Sequence, residues 1–195
     1  MTARRYEERV SRYFAKPGKG NTADVLEAAA ARADALGIAS VIVPSVTGRT
    51  ALSARRAFGK GVRVIAVSHV AGFEKPGRQD MTTAARRRLE EAGIPVFTGQ
   101  HAFGGVGRAV RNKLGTYQVD EIMAFTLRTF GQGTKVAVEV TLMAADAGLV
   151  RTDEDVIALG GTSEGVDTAL VLRPANSARF FDLKVREVIC KPRDF

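Results

Sequence analysis

The chain has 195 residues, 45% of them hydrophobic, a single cysteine and a formal net charge of +8. This length and apolar content exclude a disordered chain and suit one domain, 1–195, with a basic N-terminal extension over 1–12. No apolar run approaches the roughly 18 residues that span a bilayer, the start M-T-A-R-R-Y-E-E-R-V has no apolar h-region, and one cysteine cannot close an internal disulfide; the expectation is a cytoplasmic protein with no membrane contact.

In chain order, Lys16-Pro17-Gly18-Lys19-Gly20 reads as a loop. Asn21 or Thr22 caps a helix with Val25, Leu26, Ala29, Ala30, Ala33 and Leu36 on one stripe, stopping at Gly37. Ser40 to Val43 is an apolar run without alternation, as in a strand buried on both faces. A helix through Ala51, Leu52 and Ala57 ends near Gly59. Val62 to Val67 is a strand, Gln79 to Ala92 a helix, and Pro95 to Thr98 a strand. Helical segments cover Val106 to Leu114 and Val119 to Phe130, the latter with Val119, Ile122, Met123, Thr126, Leu127 and Phe130 on one face. Thr134 to Ala147 fits both periods, and its length and Ala-rich end favour helix. Asp155 to Leu159, Ala169 to Leu172 and Lys184 to Ile189 are further strands. The alternation predicts an α/β fold of three layers: a mostly parallel sheet with helices on both faces.

Four groups of residues invite a chemical reading. The first is Val41 to Ala51, V-I-V-P-S-V-T-G-R-T-A, where a buried strand stops and a helix begins. Ligands of parallel sheets sit beyond the carboxyl ends of strands, and a helix N-terminus favours an anion. Ser45, Val46, Thr47, Gly48, Arg49 and Thr50 therefore form a candidate phosphate loop. An ordinary strand-to-helix turn with a hydroxyl cap stands as the alternative, and the Walker pattern is missing. The second is Gly160-Gly161-Thr162-Ser163-Glu164-Gly165-Val166-Asp167-Thr168, which suits either a loop around a polar ligand or a hairpin connection.

Third, His69 and His101 both follow strands, on the rim where a ligand would lie. Each is a candidate general acid or base and equally a hydrogen-bonding loop residue. With no clustered carboxylates or cysteines in sequence, no metal site is expected. Fourth, Glu139 and Asp146 share one face of a helix. A buried carboxylate needs a partner, so a structural ion pair or helix-end contact is favoured over catalysis. Cys190 reads as a small buried residue. The glycines around Gly104-Gly105-Val106-Gly107 lack the spacing of a dinucleotide fingerprint. The positive charges, among them Arg4, Arg5, Arg9, Arg12 and Arg86-Arg87-Arg88, are scattered without a recognition helix or stacking platform. A nucleic-acid partner is not expected.

Taken together, these segments resemble a known group. Val41 to Ala51 is similar to the ligand-binding loop of the C-terminal α/β domain of pyruvate kinase, and Gly160 to Thr168 to the second loop that closes over its effector. The resemblance is nearer to stand-alone proteins with that fold. It runs through Tyr13-Phe14, Lys16-Pro17-Gly18, Asn21-Thr22, His69 with Gly72-Phe73, His101, Gly131-Gln132-Gly133, Glu139 to Gly148, Gly160-Gly161, Gly165, Asp167-Thr168-Ala169, Phe180-Phe181 and Ile189 to Arg193. It implies a bound flavin mononucleotide (FMN) with its phosphate on the first loop. Gly160, Gly161, Thr162, Asp167 and Thr168 would then line the ribityl chain or ring, and His69, Gly72 and Phe73 a further wall. It implies no reaction, and the catalytic barrel of pyruvate kinase has no counterpart here. The sequence departs at Val46 to Arg49, where relatives carry Ser or Tyr and an acid, and at Gly107, where they carry an acid. The competing expectation is an effector-sensing module for a sugar phosphate or nucleotide, without catalysis. Phe180-Phe181 or the basic N-terminal segment offers a contact for a homo-oligomer.

Overall fold

In the computed structural model, residues 6–195 are described; Arg4 and Arg5 lie outside them. Strands β1 (Arg12–Phe14), β2 (Ser40–Pro44), β3 (Arg63–Ser68), β4 (Val96–Thr98), β5 (Val156–Gly160), β6 (Thr168–Arg173) and β7 (Lys184–Pro192) form one sheet in the order β1-β7-β6-β5-β2-β3-β4. Four neighbouring pairs are parallel. Only β5–β6 and β6–β7 are antiparallel. The helices are α1 (Thr22–Leu36), α2 (Arg49–Ala57), α3 (Thr83–Glu91), α4 (Gly105–Leu114), α5 (Val119–Arg128) and α6 (Gln132–Asp146).

The expected three layers are present, and the strands show why. Val41 and Val43 of β2 and Val64 and Ala66 of β3 point to one face, where they pack with Val25 and Ala29 of α1, Ala51 and Ala54 of α2 and Leu89 of α3. Ile42 and Ile65, one residue out of step, point to the other face and meet Val138, Leu142 and Ala145 of α6. Alternation of side chains across a strand thus builds two cores from uninterrupted apolar runs. No helix among the described residues is long and apolar enough to cross a membrane.

Several sequence expectations need correction. Arg12–Phe14 belongs to the sheet: it pairs in parallel with β7, although three residues carry too little pattern to read as a strand. Helix α3 starts at Thr83 and not at Gln79; the Thr82 hydroxyl caps it by accepting from Ala85 N–H. The residues before it are used elsewhere, as shown below. The stripe placed on the segment from Val119 is right only in part: Met123 and Leu127 pack against the core, half-buried. Glu121 and Ala124 are the buried residues of α5, while Val119, Ile122 and Phe130 are exposed. The ambiguous segment 134–147 lies in a helix, α6, buried on nearly every side.

Candidate functional site

Strands β2, β3, β4 and β5 run in parallel, so the loops that leave their carboxyl ends gather at one edge of the sheet. There they enclose a cavity of about 560 Å³. Its walls are the turn into α2, the loop after β3, His101 beyond β4, the hairpin after β5 and the first half of α6.

The turn into α2 meets the expectation of backbone shape. Gly48 has φ 82°, a left-handed conformation that glycine adopts without strain, and its position lets the chain reverse into α2. Ser45 is buried; its N–H donates to Val67 C=O, and its Oγ receives a long contact from Ala51 N–H at 3.4 Å. The first amides of a helix have no intrahelical acceptor, which leaves a positive end directed at the cavity. Ser45, Val46, Thr47, Arg49 and Thr50 all contribute to the wall, whereas Gly48 lies behind it against Leu89.

The Gly160 to Thr168 segment is a hairpin connection, with Gly160 paired to Thr168. Gly161, Ser163, Glu164 and Gly165 reach the cavity. Asp167 and Thr168 do not: both are fully buried. Asp167 Oδ2 accepts N–H bonds from Gly18 and Thr162, and its Oδ1 accepts from the Thr168 hydroxyl. Its carboxylate therefore ties the hairpin to the loop before α1, which is a structural answer to the expectation of a ligand contact. Gly160 faces α6, where an added Cβ would lie 1.9 Å from Gly133 C=O. The two glycines permit the close crossing that brings the start of α6 beside the hairpin. Glu164 pairs with Lys19 at 3.1 Å and with Arg49 at 3.7 Å, so its carboxylate stands between two cations at the cavity mouth.

Both histidines reach the wall, where with Phe73 they form one cluster of three rings, the imidazole centroids 5.5 Å apart. The Phe73 ring stacks on His101 at 4.8 Å and 10°, and tilts against His69 at 4.2 Å. Arg108 of α4 lies 5.3 Å from the same ring centroid. Gly72 shapes the turn, with φ 85° and its N–H donating to Arg78 C=O, and is not on the wall. The residues displaced from α3 hold His69 in place. Asp80 Oδ2 lies 2.9 Å from His69 Nδ1, and the Gln79 amide donates to His69 C=O. Glu74 also approaches, so the potential metal-ligating atoms of His69, Glu74 and Asp80 lie within 4.8 Å of one another. The expectation of histidines remote from carboxylates is thus corrected, because residues 5 and 11 positions further on fold back. The His69–Asp80 hydrogen bond accounts for most of that approach.

Beside His101, α6 presents Lys135 and Glu139, one turn apart and both buried. Glu139 Oε2 accepts from Lys135 Nζ and lies 3.8 Å from His101 Nδ1; Oε1 accepts from Phe103 N–H at 3.1 Å. Burial pushes the Glu139 carboxyl up, yet His101 and Lys135 outweigh it and hold the group down at about 2. Burial pulls the Lys135 ammonium down, aided by the charges of Arg128 and Arg108, while Glu139 opposes the shift. The expected ion-pair role of Glu139 is present. Asp146, on the same helix face, is exposed and takes the expected helix-end role, accepting from Ser177 N–H and its hydroxyl. Cys190 is fully buried, and burial pushes its thiol up to about 12.

Ser68, Lys135, Arg108 and Arg128 line the cavity without having been singled out in sequence. Lys135 and Glu139 had a legible signal in their i,i+4 spacing. Ser68 Oγ and His101 Nε2 are buried on this wall with no hydrogen-bond partner among the described residues. Buried polar atoms are nearly always partnered, so these two mark a place for a polar group of a bound molecule or an ordered water.

The family model described as pyruvate kinase, alpha/beta domain, matches residues 23–172. Among solved structures, a Cryptosporidium parvum pyruvate kinase in complex with ADP is 16% identical over 82% of this chain and 24% of its own, with a TM-score of 0.43. Another structure of C. parvum pyruvate kinase is 15% identical over 82% of this chain and 23% of its own, with a TM-score of 0.41. The chain spans about a quarter of the length of these pyruvate kinases.

Proposed function

The chain belongs to the pyruvate kinase alpha/beta domain family, and from that premise we propose that it binds a phosphorylated small molecule, FMN first among the candidates, in the cavity between the turn into α2 and the 160–168 hairpin. The observation that carries this reading is the pairing of a helix N-terminus with unpartnered buried polar atoms in one cavity. The amides opening α2, the Thr47 and Thr50 hydroxyls, and the Arg49 and Lys19 cations, which a phosphate would share with Glu164, offer both hydrogen bonds and charge. At about 560 Å³ the space falls within the roughly 300–1,000 Å³ of small-molecule sites.

The phosphate end of FMN fits these residues well. Its ring fits on one condition. Phe73, the aromatic surface of the cavity, already stacks on His101, so a flavin using that face must displace the imidazole. Ser68 and His101 would then supply polar contacts to the ring edge, and Lys135 a cation. A bound flavin supplies one- or two-electron transfer. The occupied face of Phe73 and the charged α6 wall favour a second reading, an effector-sensing module for a sugar phosphate or nucleotide.

An absorbance spectrum of the purified protein between the near-ultraviolet and the blue separates the two. Flavin bands with flavin released on denaturation support FMN. A colourless protein whose melting temperature ignores added FMN rules it out. A sugar phosphate or nucleotide that raises the melting temperature instead supports the sensor, since a ligand of the native state stabilises by mass action. Whichever ligand binds, Ser45→Ala with Thr50→Ala is expected to abolish its shift. An undiminished shift in the double variant would remove the phosphate from this turn.

A further inference from the structure

Helix α5 carries apolar side chains on two faces: Met123, Ala124 and Leu127 pack against the core, and a second set points to solvent. The side chains facing the protein include Glu121, buried beside Arg111 at 2.9 Å, while Val119 and Ile122 are 73% and 54% exposed. Val106 of α4, Tyr117 between the helices, Phe125 of α5 and Phe181 extend the apolar surface. Tyr117 and Phe125 meet edge to face at 5.4 Å, so the surface is preformed and not a set of scattered side chains. A helix that already covers the core with Met123, Ala124 and Leu127 yet leaves Val119, Ile122 and Phe125 in solvent has a second apolar face aimed at something outside the fold.

We propose that the α4–α5 face is the contact between two copies of this chain, with α5 packed against the partner's α5 about a two-fold axis. Three observations favour a second copy as the occupant. The first is area. Aromatic side chains bury about 150–250 Å² each, so Tyr117, Phe125 and Phe181, exposed by about half or more and flanked by Val106, Val119 and Ile122, present several hundred Å², a large part of the about 800 Å² that each partner of a stable pair buries.

The second is shape. Beside the projecting Ile122 and Phe125 lies a groove of about 510 Å³ lined by Val106, Val110, Val119, Met123 and Phe180. Knob and groove on one surface are the condition for an isologous contact, in which each copy fills the other's groove. The third is charge. Asp120 lines the groove and makes no ion pair among the described residues, while Arg111, paired inward with Glu121 but still a third exposed, lies over Tyr117 at the edge of the same surface. A two-fold axis through α5 brings the acid of one copy toward Arg111 of the other. The pairing would also steady α4 and α5, which carry Arg108 and Arg128 into the cavity.

Sedimentation equilibrium on the full chain tests this without any ligand. A dimer mass is expected at micromolar concentration. Ile122→Glu with Phe125→Glu should raise the dissociation constant by a hundredfold or more while leaving the circular dichroism spectrum and urea midpoint of the monomer in place. Val185→Glu, at an exposed apolar site on β7, should leave the dimer intact. A second variant, Ile122→Cys, should cross-link to a dimer on mild oxidation, since the natural Cys190 is buried. A monomer up to about 100 μM overturns the proposal, as that leaves less than about 5–6 kcal/mol for association. So does a dimer that survives the α5 double variant, or one that Val185→Glu disrupts instead.

Discussion

Helices α5 and α6 follow one another in the chain, and both carry a buried glutamate, yet they solve opposite problems. Helix α6 is enclosed by β5, β6, β2 and α5 and buries twelve of its fifteen residues, including Lys135 and Glu139. Helix α5 fully buries only Glu121 and Ala124, packs Met123 and Leu127 part-way against the core, and leaves Val119, Ile122 and Phe125 in solvent. The charged groups of α6 look inward because the cavity is there. On α5, Glu121 looks inward beside Ala124 because Arg111 of α4 meets it there. Periodicity finds the stripe on a helix; it does not say whether the surface that covers it belongs to the same molecule.

The comparison breaks most visibly at Lys135. Its partner Glu139 is buried, so Lys135→Met leaves a carboxylate without its ammonium and is expected to cost about 3–5 kcal/mol in urea unfolding. Adding Glu139→Leu should recover most of that loss, because the desolvated charge goes with it. A single variant as stable as the parent would mean that His101 and Phe103 N–H suffice for Glu139. A smaller effect is expected from pH. The folded Glu139 is held at about 2 against an ordinary 4.5, so its contribution is present above about pH 4.5 and is lost as pH falls through 2. Glu139→Gln should flatten the stability profile over that window, read from urea midpoints at successive pH values. An unchanged slope would assign acid sensitivity to other carboxylates.

The sequence was informative where one physical rule governed a segment. The uninterrupted runs at Val41 to Val43 and Ile157 to Leu159 demand burial on both faces, and they lie at the centre of the sheet. The turn at Ser45 to Thr50 was legible because a strand end, a glycine and hydroxyls recur wherever a chain reverses into a helix. Long-range partners were not legible. Nothing near Asp167 reveals that Gly18, 149 positions earlier, donates to it, so a buried loop anchor looked like a ligand contact. Asp80 reads as a helix start until the chain is seen to fold back on His69. Lys135 reads as a solvated helix residue because lysines are rarely buried, and only its spacing to Glu139 argues otherwise.

The smallest effects belong to α5, and they sharpen the contrast with α6. Glu121 is as buried as Glu139, but its partner Arg111 is a third exposed and can turn to water when released. Glu121→Leu should therefore change the monomer's stability by no more than about 1 kcal/mol, against the larger cost on α6. A loss of about 3 kcal/mol or more would make the Arg111–Glu121 pair a true counterpart of Lys135–Glu139. Ile122→Ser is expected to do still less, within about 0.5 kcal/mol in a monomeric background, because an exposed side chain loses little packing. The measurement is a urea titration at a concentration low enough to dissociate any pair, repeated at high concentration. If α5 is covered only by a second copy, the serine variant matches the parent in the first titration and falls behind it in the second. If it falls behind equally in both, Ile122 is packed within its own chain and α5 has no second apolar face free for a partner.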